Sequence, residues 1–195
     1  MTEHSRRDTL MIAALGAVGA AAAITPSANA ITATGDAALD AHRQDFAWLV
    51  GRWNVQHHRL KVRLADNHEW EDFTGTSELW LTMNGLGTVD DNVLNLPSGQ
   101  YRAVGVRAFN QQTRQWLIWW LDSRNPTTLD PPVAGTFENG VGTFIGADVN
   151  RGQPVLCRYR WYDITANSAT WDQALSPDNG ATWEINWVMH FTRAT

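Results

Sequence analysis

The chain has 195 residues, a formal net charge of −5 and a single cysteine, Cys157. That length allows one domain able to bury its own core, and one cysteine excludes a disulfide-stapled scaffold. The negative charge argues against nucleic acid or an anionic membrane surface as a partner, because both reward a basic face.

Residues 1–30 carry the pattern of an export signal. Ser5-Arg6-Arg7-Asp8-Thr9-Leu10 resembles the twin-arginine motif, with Thr9 and Met11 standing where a large apolar residue and a lysine are common. An uncharged, alanine-rich run follows to Ile24, and Ala28-Asn29-Ala30 supplies a cleavage site. The run is about fifteen residues long, against the roughly 20 needed to cross a bilayer. The expectation is cleavage, no stable membrane insertion afterwards, and a periplasmic or secreted protein. Residues 31–37 read as a small-residue linker and residues 38–195 as a single β-barrel domain.

Residues 38–49 are predicted as a short helix, made sticky on one side by Leu39, Phe46 and Leu49 with Trp48 beside them, and ended by Gly51. Strands and turns then run to the end: 52–63, 68–81, 88–96, 101–109, 115–124, 133–138, 141–148, 154–164, 169–176 and 183–193. Asn139-Gly140 between two of them is a strong hairpin signal. The strand at 115–124 places Trp116, Trp119 and Trp120 within five residues and ends in Asp122 and Arg124, so both its faces require cover. In the last strand Trp183, Ile185, Trp187, Met189 and Phe191 alternate with Glu184, Asn186, Val188, His190 and Thr192, giving one core face. Short turns and the near absence of long crossovers predict an all-β fold, a closed up-and-down antiparallel barrel of about ten strands. Closure also removes edge strands.

A short helix leading into Gly51-Arg52-Trp53 resembles the opening of the calycin barrels, the lipocalins and their fatty-acid-binding relatives, in which that tryptophan plugs one end. Taken with Gly87-Thr88-Val89-Asp90-Asp91-Asn92, Trp119-Trp120-Leu121-Asp122-Ser123-Arg124-Asn125-Pro126, Asp130-Pro131-Pro132 and Thr182-Trp183-Glu184-Ile185-Asn186-Trp187-Val188-Met189, the chain is similar to a secreted bacterial family described only as a domain of unknown function. The resemblance covers residues 45–193 and implies a calycin-like barrel without an assigned activity. Separately, Ser176-Pro177-Asp178-Asn179-Gly180-Ala181-Thr182-Trp183 fits the Asp-box of sialidases and other propellers. A propeller would need several copies, so the single box reads as a structural turn.

Strand parity selects the candidate ligand-binding residues Trp53, His57, Arg59, Glu78, Trp120, Asp122 and Arg124. If Trp53 points inward, so do Val55, His57, Arg59 and Lys61, while His58 points out, and the two adjacent histidines cannot chelate one metal. His57 and Arg59 read either as anchors for an acidic ligand or as rim residues. Asp122 shares parity with Trp116, Ile118 and Trp120. It reads either as a pocket acid or base with a raised pKa or as the partner of Arg124 that pins the proline-rich connection 125–132. Glu78, if inward, needs Arg107 or Arg160 as partner. Asp90-Asp91 reads as loop chemistry, His190 as a solvated residue rather than a haem or metal ligand, and Cys157 as inert packing.

There is no glycine-rich phosphate loop, nucleophile elbow or zinc spacing, and no cofactor is expected. The leading reading is an exported barrel holding a small apolar or aromatic molecule. The alternatives are an enzyme of the same fold, an isomerase or hydrolase using a pocket carboxylate, and a structural envelope domain whose barrel is filled. A cavity, or its absence, separates them.

Overall fold

The computed structural model describes residues 37–195; the expected export signal and all but the last residue of the expected linker lie outside the described residues. Helix α1 (Ala37–His42) leads through turns and a single 3-10 turn at Ala47–Leu49 into the first strand. The strands are β1 (Gly51–Leu60), β2 (Trp70–Thr82), β3 (Gly87–Leu96), β4 (Gly99–Asn110) and β5 (Gln115–Asp122). They continue as β6 (Val133–Glu138), β7 (Val141–Asn150), β8 (Gln153–Tyr162), β9 (Ser168–Ser176) and β10 (Glu184–Arg193). Each pairs antiparallel with its sequence neighbour, and β1 pairs with β10, so the sheet closes into an up-and-down barrel. Asn139 and Gly140 both take positive φ, 51° and 79°, as the tight hairpin between β6 and β7 demands.

The segment before β1 plugs one end. Phe46 and Leu49 are fully buried, and Phe46 meets the rings of Trp116, Phe137 and Phe144. Trp53 is also fully buried; its indole donates to the Leu49 carbonyl at 2.7 Å, and Arg193 lies 3.8 Å over its ring. Arg193 reaches on to the carbonyls of Trp48 and Val50, tying the plug to the strand that closes the barrel. The predicted continuous helix over 38–49 is broken here. Backbone bonds from residue 43 onward span three residues instead of four, which turns Phe46 into the barrel and lets Asp45 accept from the Trp116 indole at 2.8 Å.

Two strand expectations also need correction. Lys61 falls beyond the end of β1, is exposed and pairs with Glu69, so inward parity stops at Arg59. In β10 a bulge between Ile185 and Trp187 shifts the alternation: Ile185 is exposed and Asn186 is fully buried. Trp183, predicted in the core row, lies before the strand and stacks on the Arg158 guanidinium. β5 pairs with β6 through only three residues, Trp116 to Ile118, and beyond them a bridge from Leu121 to Leu129 brings residues 125–132 alongside instead.

The Asp-box is a turn between β9 and β10. Asp178 accepts from the Ser176 hydroxyl and from the backbone and hydroxyl of Thr182, while Gly180 donates to Ser176. The Thr182 hydroxyl, the Thr182 N–H and the Ser176 hydroxyl hold the Asp178 carboxyl down at about 2. A carboxyl depressed in the folded state contributes stability that is present above its unfolded value of 3.8 and is lost as pH falls through about 2. Asp178→Ala is therefore expected to lower the thermal midpoint at pH 7, with the gap to the parent protein closing near pH 2. A gap of equal size at both pH values would rule out the charge as its source.

Candidate functional site

The barrel is not filled. Above the plug lies a cavity of about 360 Å³, lined by residues of β1 to β5 and β7 to β10. Its walls combine aromatic rings, Tyr101, Trp120, Tyr159, Trp161, Trp171 and Trp187, with polar and charged side chains. Trp171 meets Trp187 edge-on with ring centres 5.8 Å apart and Tyr159 at a tilt with ring centres 4.9 Å apart, contacts that fix the rings against one another.

Of the seven sequence candidates, His57, Arg59, Trp120, Asp122 and Arg124 line this cavity. Trp53 belongs to the plug beneath it. Glu78 lies on the outer face, paired with Arg52 at 3.0 Å, and the two arginines considered as its inward partners are bound to Asp90 and Asp172 instead. His57 lies inside, stacked on Phe73 at 4.4 Å, and its Nδ1 accepts from the Trp187 indole at 3.2 Å. Burial and then the neighbouring Arg59 charge pull its pKa down to about 3. As an anchor for an acidic ligand it therefore brings no charge near neutral pH, and it lies buried within the barrel instead of at the rim. Arg59, bound to Glu71 through Nε and Nη2, lies over the rings of Phe73 and Trp187.

Asp122 satisfies both of its sequence readings at once. It faces the cavity with Trp120 and also receives the backbone N–H and guanidinium of Arg124 at 2.8 and 2.9 Å. Burial pushes its carboxyl up, but the bonds from Arg124 outweigh this and leave it below the ordinary value. It is thus a fixed carboxylate rather than a raised-pKa acid. The Arg124 guanidinium in turn covers the Tyr101 ring at 3.8 Å.

Several lining residues lie outside the seven sequence candidates. Asp90, assigned above to loop chemistry, sits within β3 and is 3 % exposed; Asp91 points the other way and pairs with Arg102. Asp90 accepts from Arg107, itself 7 % exposed, and from the Gly105 N–H at 2.9 Å. A β-carbon at Gly105 would stand 2.5 Å from the Asp90 carboxylate, so the glycine makes room for the ion pair. The parity of Thr88, Asp90 and Asn92 with Leu94, and of Arg107 with Ala103 and Phe109, is the signal that finds them.

At the opposite end from the plug, the rim carries Arg63, Asp130 and Asp148. Burial, Asp148 and Asp122 push the Asp130 carboxyl up. Burial pushes the Cys157 thiol up to about 12, which leaves it inert. His190 lies on the outer face of β10, within 3.4 Å of the Thr170 hydroxyl, and His58 stacks outside on Trp70. Among the described residues no group of three His, Cys, Asp or Glu side chains could hold a metal ion, and no helix is long and apolar enough to cross a membrane.

No protein-family model matches the chain, and no curated protein matches it. Among solved structures the barrel is similar to the S-type phycobiliprotein lyase CPES of Guillardia theta, with a TM-score of 0.53 at 9 % identity over 77 % of this chain and 90 % of that one. At that identity the likeness is one of fold, a calycin-like barrel.

Proposed function

We propose that this chain is an exported binding protein of a secreted bacterial family and that its barrel holds one small apolar or aromatic molecule. The observation that carries the reading is the cavity of about 360 Å³, in whose wall four tryptophans and two tyrosines stand among polar and charged side chains. That volume lies at the lower end of the roughly 300–1,000 Å³ usual for small-molecule sites. A structural domain with a filled barrel would have no such space. Export rests on the sequence of residues 1–30 alone.

N-phenylnaphthylamine, an uncharged aromatic probe, is expected to bind saturably, at one site per chain, and to quench tryptophan emission. Trp120 is a half-buried wall residue, and replacing it with alanine is expected to weaken binding roughly threefold to tenfold through lost ring contacts. The absence of a saturable response, or indifference to Trp120→Ala, would sink the reading.

A second reading, acid–base catalysis by an isomerase or hydrolase of the same fold, is favoured by one feature. Asp130, at the rim and with its carboxyl pushed up, is better suited to carry a proton than Asp122, whose carboxyl Arg124 holds down.

A further inference from the structure

Four guanidinium groups line the cavity, and three of them are committed: Arg59 to Glu71, Arg107 to Asp90 and Arg124 to Asp122. Arg63 is different. Among the described residues it makes no hydrogen bond and no ion pair, yet it is only partly exposed and lines the same cavity. Its place is set by its own connection, residues 61–69 between β1 and β2. The Lys61 N–H bonds the Glu69 carbonyl at 2.8 Å, the Leu64 N–H bonds the Glu184 carboxylate at 2.7 Å, and Leu64 packs onto the core. These ties draw residue 63 over the mouth.

A guanidinium held there without a hydrogen-bonding acceptor is costly, because water is partly removed and nothing replaces it. Burial and the Arg59 charge accordingly pull the Arg63 pKa down. The Asp148 carboxylate favours its protonated form without contacting it. Asp130 and Asp148 share the rim, so the anion-receptive part of the mouth is confined to Arg63 and its neighbour in charge, Arg59.

Building on the binding reading above, we infer that Arg63 is the anchor for the acidic group of the ligand, and that the ligand class is a small aromatic or conjugated acid whose ring system lies between the indoles while its carboxylate or sulfonate meets the Arg63 fork. A planar guanidinium can bind such a group through two parallel bonds, which gives orientation as well as affinity. The aromatic walls alone would accept a neutral molecule in either direction.

The test compares anilinonaphthalene sulfonate with its uncharged counterpart N-phenylnaphthylamine on the full-length chain. The parent protein is expected to bind the sulfonate roughly tenfold or more tightly than the neutral probe, as a charge-assisted bond implies. Arg63→Gln abolishes that ratio while leaving the neutral probe's affinity unchanged, and Arg63→Lys restores part of it. Equal affinities in the parent protein, or a ratio that survives Arg63→Gln, overturn the anchor and leave the binding reading standing. If neither probe binds, the binding reading itself fails and the anchor falls with it. Should Arg63→Gln fail to fold, the parent ratio and the lysine variant still decide.

Discussion

Replacing Asp90 with alanine is expected to destabilise the protein by about 3–5 kcal/mol, because it leaves the Arg107 charge buried without its partner. The pair is set inside the wall between β3 and β4, with Thr88 adding a bond to Arg107 at 3.2 Å and Phe46 of the plug lying 5.1 Å beneath the guanidinium. Arg107→Met strands the Asp90 carboxylate in the same way and is expected to cost about as much. The double variant Asp90→Leu with Arg107→Met removes both charges and is expected to recover most of the loss, since a buried ion pair and an apolar pair of similar volume come out nearly even. Urea denaturation of the three variants measures this directly. A double variant as unstable as the sum of the singles would show that the two side chains do not act as a unit. The pair faces the cavity, but its mutual neutralisation leaves Arg63 as the cation open to a guest.

Stability is also expected to fall by on the order of 1 kcal/mol for each pH unit below about 6.5, from His57 alone. The sign follows from proton counting. The folded state keeps this imidazole neutral down to about 3, whereas the unfolded chain protonates it at its ordinary value of 6.5. Between those two values the unfolded state binds the extra proton, so acid favours unfolding; above 6.5 the residue is neutral in both states and contributes no slope. His57→Asn keeps an acceptor for the Trp187 indole near the position of Nδ1 but cannot titrate. It is expected to be less stable at pH 7, having lost its stacking on Phe73, yet to show a flatter profile from pH 6.5 to 4.5. Urea midpoints across that range decide it. Parallel profiles for the two proteins would mean that His57 takes up its proton normally.

Strand parity was readable wherever an unbroken strand carried a large anchor. From Trp53 the inward row Val55, His57 and Arg59 followed directly, and on β5 the Asp122 face proved to be the inner one. What escaped was whatever depends on a partner far away in the chain. Asp90 and Arg107 are seventeen residues apart and meet only once β3 and β4 have found their register. Glu78 shows the reverse case: its outer position follows from the inward row of Phe73, Gly75, Ser77 and Leu79, and its partner is Arg52, the residue directly opposite it on β1. The β10 bulge defeated a strict alternation because two residues there oppose one. Arg63 lies in a connection with no periodicity to read, and its position depends on a bond from Leu64 to Glu184, 120 residues further on.

The pairing of β1 with β10 also imposes a timetable. Nine strands can hydrogen-bond to a neighbour soon after synthesis, but β1 has to hold one edge open until the tenth strand has left the ribosome. The Arg193 clamp on Trp48, Val50 and Trp53 is then among the last contacts made. Closing so long a loop is slow, and until it closes the nascent sheet is a curved sheet with two raw edges and an uncovered aromatic interior. The floor of this vessel is sealed only after its walls are up.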